Sequence, residues 1–113
     1  MNPKFEVEFL PEAIEFMNQL DAKARDKIYY NLKKAQFVSD DELFKKLNDY
    51  IWEFRTLYNH TAYRLFSFWD RSHGKPTIVI ATHGIIKKTQ KTPVKEIEKA
   101  EKIRKQYLET KGK

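Results

Sequence analysis

Two adjacent runs of aromatic and β-branched residues in the middle of the chain constrain the fold more than any other feature. They occupy residues 50–58 and 62–69, and only Asn59, His60 and Thr61 separate them. Residues of these types favour extended strands, and so short a link favours a hairpin. The sequence therefore predicts two antiparallel strands joined by a tight turn.

Two further segments have the pattern of strands. Residues 4–9 alternate apolar and charged side chains, which is typical of a strand with one buried face. Residues 77–82 are the most apolar run of the chain, and they predict a central strand that Gly84 breaks. A turn over residues 70–76 joins this strand to the hairpin, so the three strands form a meander.

Helical periodicity appears on both sides of the meander. Apolar side chains at three-and-four spacing predict two antiparallel helices over residues 11–20 and 21–35. Ser39 is expected to open a further helical turn. Thr92 is expected to cap the last helix, with Pro93 at its first position.

These elements predict an α+β fold in a single domain over residues 1–113. An N-terminal strand and a helical hairpin pack on an antiparallel sheet that contains the three-stranded meander. The helices are expected on one face of the sheet, and a basic helix ends the chain. No internal repeat or low-complexity run interrupts this order.

The net charge of +6 is confined to the end of the chain. Residues 1–83 contain 12 Lys/Arg and 12 Asp/Glu, whereas residues 84–113 contain 10 Lys/Arg and 4 Glu. A positive field at one end favours RNA, DNA or an acidic partner. A solvated helix that keeps the protein soluble is the alternative, and charge alone does not decide between them.

The sequence also limits the compartment and the metal chemistry. It contains no cysteine, so disulfides and thiolate metal sites are excluded. The first ten residues lack the pattern of a signal peptide, and no run approaches the ~20 apolar residues that span a bilayer. We therefore expect a cytoplasmic protein with no membrane partner.

Three motifs follow one another in the second half of the chain. They are I-W-E-F-R at 51–55, A-Y-R-L-F at 62–66 and H-G-I-I-K-K-T-Q-K-T-P at 83–93. Together with F-L-P at 9–11, they resemble the phage-derived, HigB-like branch of the RelE/ParE toxin superfamily. The resemblance covers nearly the whole chain, and the motifs are distinctive in combination, whereas each alone is weak.

This resemblance implies a RelE-like fold and a toxin of a type II toxin–antitoxin operon. Many such toxins are ribosome-dependent endoribonucleases that cut messenger RNA, and no cofactor is implied. A cognate antitoxin, often with a helix-turn-helix domain, holds the toxin inactive. The complex binds operator DNA through this antitoxin. The superfamily also contains ParE-type inhibitors of DNA gyrase. A non-nucleolytic toxin and an inactive antitoxin-binding relative are therefore the alternatives.

Metal-independent RNA cleavage needs a base for the ribose 2′-hydroxyl, positive groups near the phosphate and an acid for the leaving oxygen. The sequence has three His and no spacing typical of metal ligands, so Arg, Lys and His are the groups available. Arg55 and Arg64 are predicted to lie across the hairpin on one face, where a phosphate can bind both. An ion pair with Glu53 is the alternative.

The segment after the last strand carries the other candidates. His83 can act as acid or base, or be a structural histidine, and the adjacent Gly84 allows a ligand to approach the backbone. The following lysines lie beside the N-terminus of the last helix, which attracts anions. His60 and His73 are expected to be plain surface residues, and Tyr107 to contact the core. The predicted catalytic residues are Arg55, Arg64, His83, Lys87 and Lys88, and the predicted RNA contacts are Thr89, Lys91, Thr92, Lys95 and Lys99.

Overall fold

The computed structural model describes residues 2–72, 74, 77–88 and 91–111, and the predicted hairpin forms the middle of its sheet. In chain order the elements are β1 (Glu6–Phe9), α1 (Pro11–Gln19), α2 (Ala22–Phe37), β2 (Phe44–Lys46), β3 (Ile51–Tyr58), β4 (Thr61–Asp70), β5 (Ile78–Lys87) and α3 (Val94–Lys111). The predicted α+β class is confirmed.

The strand order is β1-β5-β4-β3-β2 in the described part of the chain. From β2 to β5 the neighbouring strands are antiparallel, whereas β1 pairs parallel with β5. The central strand is β4, and β5, which was predicted to be central, lies next to it. Asn59 and His60 form the β3–β4 turn with φ values of 50° and 62°. These left-handed values are those of a type I′ hairpin turn.

Helices cover both faces of the sheet. On one face, side chains of α1 and α2 such as Met17 and Ile28 pack against Phe54 and Leu65. α3 covers the opposite face, where the smaller cluster contains Ile51, Phe66, Phe68, Ile80 and Ala100. The prediction that the helices share one face is therefore wrong. The meander strands carry apolar side chains on both faces, so each face is buried only if a helix packs against it.

The first two helices begin at residues that are favourable at helix N-termini. Pro11 is the first residue of α1, where its missing N–H costs no hydrogen bond. Asp21 caps α2, because its side chain accepts a hydrogen bond from Ala24 N at 2.9 Å. Among the described helices, none is long and apolar enough to cross a membrane.

The last helix begins one residue later than predicted. Its first residue is Val94, and the carbonyl of Pro93 accepts a hydrogen bond from Ile97 N at 3.4 Å. Thr92 was predicted to be the cap, but its hydroxyl donates to the Glu53 carboxylate of β3 at 3.0 Å. This contact ties the segment before α3 to the sheet.

The helical turn predicted after Ser39 is a single turn, in which Phe44 N donates to the carbonyl of Asp40 at 3.0 Å, and the chain then continues as a strand. Phe44 begins β2 and lies opposite Phe54 of β3. The Phe44 ring stacks on Phe54 and on Trp52, with centroids 4.3 Å and 4.7 Å apart. Long-range aromatic packing outweighs the local helix signal at this position.

The pairing of β4 with β5 contains a bulge. Phe66 lies opposite His83 and Ser67 lies opposite Ala81, so Thr82 is an additional residue in β5. The Thr82 side chain is buried and lies 3.3 Å from the carbonyl oxygen of Phe66. As a result, even-numbered residues of β5 face α3 before the bulge, and odd-numbered residues face α3 after it.

β5 continues through Gly84, so the predicted break at this residue is wrong. The open space at Gly84 is filled by the ring of Phe16 from α1 and not by a ligand. A Cβ there would lie 2.5 Å from Phe16 Cε2 and 2.7 Å from Cγ.

Gly84→Ala is expected to lower the free energy of unfolding by about 1–3 kcal/mol, as overpacking does. Urea denaturation measures this change. Combining Gly84→Ala with Phe16→Leu should cost less than the two single substitutions together, since the smaller side chain relieves the clash. Strict additivity would contradict the contact.

Candidate functional site

Two arginines of the hairpin lie side by side, as predicted. Arg55 and Arg64 are cross-strand partners, so both side chains leave the same face of the sheet. Arg64 is 8% exposed, and Arg55 is partly exposed. Two adjacent positive charges repel each other, so this arrangement needs a negative charge nearby.

Glu53 supplies that negative charge to both guanidiniums. Its carboxylate lies 3.7 Å from Arg55 Nε and 3.5 Å from Arg64 Nε, and its side chain is 2% exposed. Thr92 donates its hydroxyl to the same carboxylate. The alternative ion pair with Glu53 is therefore present. Because one carboxylate serves two arginines, the group retains a net positive charge.

The guanidiniums keep hydrogen-bonding capacity. In the described part of the chain, neither Arg55 Nε nor Arg64 Nε makes a hydrogen bond, although both atoms are buried. The Nη1 atoms donate to backbone carbonyls, those of Asp41 at 3.4 Å and Tyr63 at 3.1 Å. Burial lowers the pKa of Arg64, Glu53 opposes this change, and Arg55 adds to it. An anion beside the pair would meet two positive charges that one carboxylate only partly neutralises.

Lys87 extends the positive charge along β5. It lies opposite Ala62 of β4. Arg64 follows Ala62 by two residues, so its side chain lies on the same face of the sheet. Burial lowers the pKa of Lys87, the charge on Arg64 lowers it further, and Glu53 raises it. A lysine with a lowered pKa loses its proton more easily and can act as a base. Lys88 follows at an exposed position.

The four cations line an open cleft of about 620 Å³ at the hairpin end of the sheet. The cleft is also lined by Leu57, His60 and Ala62 around the hairpin turn. His60 was predicted to be a plain surface residue. Side chains alternate between the two faces of a strand, so the pattern that places Arg55 on this face also places Leu57 there. The sequence therefore contained the information that Leu57 lies beside the arginines. The volume is within the usual range for small-ligand sites, roughly 300–1,000 Å³.

The described residues include no group of three His, Asp or Glu side chains that could hold a metal ion. The charged or titratable side chains that line the cleft are its two arginines and two lysines, His60 and the exposed Glu42.

His83 lies away from the cleft and beneath α3. It is 2% exposed, and its ring stacks on Phe66 with centroids 4.9 Å apart. Its nitrogens contact Thr82 Oγ1 at 2.9 Å and Glu96 Oε1 at 3.1 Å. Four residues of strand, roughly 13 Å, separate it from Lys87. Its contacts are those of a structural histidine.

Stability is expected to decrease below a pH of about 6.5 because of His83. Burial lowers the pKa of His83 below its ordinary value of 6.5, although Glu96 opposes this change. A histidine with a lowered folded-state pKa stabilises the fold above the unfolded pKa. That contribution is lost as the pH falls through the folded pKa.

The measurement is the Tm between about pH 8 and 5, and His83→Gln should remove this part of the decrease. The exposed His60 provides the control, since His60→Gln should keep it. Equal slopes in wild type and His83→Gln would contradict the assignment. His73 lies outside the described residues.

The other residues predicted to contact RNA extend away from the cleft. Lys91 and Lys95 are exposed, before α3 and in its first turn. Lys99 forms an ion pair with Glu12 of α1. Thr89 lies outside the described residues. The described lysines extend the basic surface along α3 but do not line the cleft.

A separate polar cluster fixes the C-terminal end of α3, and the sequence did not predict it. Asp70 of β4 is fully buried and accepts hydrogen bonds from Tyr107 Oη at 2.7 Å and Lys111 Nζ at 2.6 Å. Ser72 donates to it through N at 2.9 Å and Oγ at 2.5 Å. Burial alone would raise the pKa of Asp70, but these bonds hold it far below its ordinary value. Tyr107 also packs its ring against Phe68, as predicted for a core contact.

The α+β sheet with helices on both faces is compatible with the RelE-like fold. The family described as "Phage derived protein Gp49-like (DUF891)" matches residues 15–105 of the chain, a span that includes the arginine pair and the cleft lysines. The protein belongs to this family, which is a toxin-type family related to the RelE-like toxins. Membership indicates a toxin of a toxin–antitoxin pair and hence an antitoxin partner. No curated protein sequence matches the chain.

Proposed function

We propose that this toxin, of the HigB-like branch, is an endoribonuclease that cleaves messenger RNA on the ribosome without a metal ion. The observation that carries the proposal is the cross-strand pair of Arg55 and Arg64, which share one buried carboxylate at the edge of an open cleft. Guanidiniums present paired N–H donors that match phosphate oxygens. The surplus positive charge at this site favours a backbone phosphate as its ligand.

In the proposed reaction the ribose 2′-hydroxyl attacks the adjacent phosphate. Lys87, as the free amine, accepts the hydroxyl proton, which its lowered pKa favours. Arg55 and Arg64 stabilise the negative charge that grows on the phosphoryl oxygens. The bond from phosphorus to the 5′-oxygen breaks as the bond to the 2′-oxygen forms, and Lys88 donates a proton to the leaving oxygen. The products are a 2′,3′-cyclic phosphate and a 5′-hydroxyl.

The partners follow from this function. The ribosome and its message form the substrate, so the protein acts in the cytoplasm. A cognate antitoxin, with a helix-turn-helix domain, inhibits by covering the basic surface, and operator DNA is reached only through it. An antitoxin with acidic or amphipathic segments matches the charge of the cleft and of α3.

The test is induced expression without the antitoxin, followed by primer extension on a translated message and on the same message without its start codon. Cuts should be confined to the translated frame and should leave 5′-hydroxyl ends. Equal cutting of both messages would overturn ribosome dependence, and 5′-phosphate ends would overturn the 2′-hydroxyl mechanism. Growth arrest with intact message would instead support gyrase inhibition, and no arrest would support an inactive antitoxin-binding relative.

A further inference from the structure

Part of the cleft lining beside the arginine pair is apolar. Leu57 is 71% exposed and lies two residues after Arg55 on the same face of β3. Its cross-strand partner is Ala62 of β4. We propose that Leu57 and Ala62 form a shelf on which one nucleobase of single-stranded RNA stacks while the arginine pair holds the adjacent phosphate. This inference rests on the proposed action of the cleft on RNA.

The spacing of the two parts suits one nucleotide. Leu57 follows Arg55 by two residues, which corresponds to roughly 7 Å along the strand. Cross-strand partners have Cβ atoms roughly 4.5–5.5 Å apart, so Leu57 and Ala62 form a continuous surface. The small Ala62 leaves the Leu57 side chain uncovered on that side. An apolar surface next to a cationic site matches a nucleotide, which joins the apolar face of a base to an anionic phosphate.

Leu57 does not contribute to the core. Within the described residues, neither Leu57 nor Ala62 belongs to either hydrophobic cluster. A single exposed leucine is common on protein surfaces. This leucine, however, shares its cleft with two arginines and two lysines, whose positive charge the nearby carboxylates of Glu42 and Glu53 only partly balance. The two features together indicate a built site for a ligand with an anionic and an apolar part.

His60 completes the edge of this shelf. It lines the cleft and is held by the left-handed turn, which fixes the hairpin tip. The imidazole has nitrogen atoms that can donate or accept hydrogen bonds, so it can contact the edge of a stacked base. A base that enters the cleft is unpaired, which restricts the ligand to single-stranded RNA.

The experiment titrates the full chain with a trinucleotide whose riboses carry 2′-O-methyl groups, because it lacks the attacking hydroxyl and stays intact. The comparison ligand is the same trimer without bases, and NMR shifts at millimolar ligand give both Kd values. Leu57→Ser should weaken binding of the intact trimer about fivefold or more, because the base covers apolar surface of Leu57, and leave the abasic trimer unchanged. Ile86→Ser is the matched control, since Ile86 is 48% exposed near the same end of the sheet but on its opposite face.

Three results would overturn the shelf: equal Kd values for wild type and Leu57→Ser, equal binding of intact and abasic trimers, or no binding of either trimer. If Arg64→Ala weakens binding of both trimers and Leu57→Ser weakens neither, the phosphate site stands without the shelf. If binding depends on Leu57 but translated messages stay intact in cells, the shelf stands and the proposed nuclease function fails.

Discussion

Arg64→Ala is expected to reduce cleavage of a translated message by about 100- to 1,000-fold, because loss of one donor to a transition-state oxyanion typically costs this much. Primer extension at matched protein levels measures the loss, and growth arrest should disappear with it. The fold should persist, since Glu53 keeps Arg55 and Thr92 as partners.

Two variants separate the charge of Arg64 from its shape and from general effects of substitution. Arg64→Lys keeps the charge without the planar fork and should retain part of the activity. Arg71→Ala removes an exposed arginine just beyond β4 and should cleave like wild type. If the activity of Arg64→Ala falls only in proportion to a lower Tm of the purified protein, Arg64 has a structural role.

Asp70→Ala should have the opposite profile, with stability lost and cleavage kept at permissive temperature. The substitution removes the β4 acceptor that Tyr107 and Lys111 share and releases the last turn of α3 from the sheet. Hydrogen bonds to a charged group contribute about 1.5–3 kcal/mol each, and Lys111 is partly exposed, so we expect a loss of about 2–3 kcal/mol. Urea denaturation at neutral pH measures it.

The pH dependence gives a second readout. The pKa of Asp70 is lower in the folded chain than its ordinary value of 3.8, so its contribution is present above that pH. It is lost as the pH falls through the folded pKa. The stability difference between wild type and Asp70→Ala should therefore shrink in acid. Asp26→Ala, at an exposed position of α2, is the control and should stay near wild type. A difference that stays constant into acid would contradict the role of the charge.

Local patterns were sufficient to predict the hairpin and its register. The aromatic and β-branched runs that form β3 and β4, with the short turn between them, predicted that Arg55 lies opposite Arg64. Each of these features depends on alternation within a strand and on a turn length, both of which are local.

The remaining features depend on contacts between distant segments. β2 forms because Phe44 stacks on β3, β5 passes Gly84 because Phe16 fills its open side, and α3 docks on its own face of the sheet. Sequence periodicity does not contain this information. The same limit applies to the candidate site. The arginines were predicted from strand parity, whereas the burial of His83 and the link from Thr92 to Glu53 depend on how α3 docks.

The bulge at Thr82 determines which changes in the length of β5 a relative can accept. Ile78 and Ile80 before it and Lys87 after it face the same side of the sheet because the bulge accommodates this additional residue. A substitution within β5 preserves that arrangement. Deletion of Thr82 also preserves it, because a strand without the bulge alternates regularly from Ile80 to Lys87. Deletion of one codon between His83 and Lys87 would instead turn Lys87 towards α1 and α2, while the residues before it kept their packing. Loss of the cleft by such a deletion provides a short evolutionary route from a toxin to a folded protein that only binds its antitoxin.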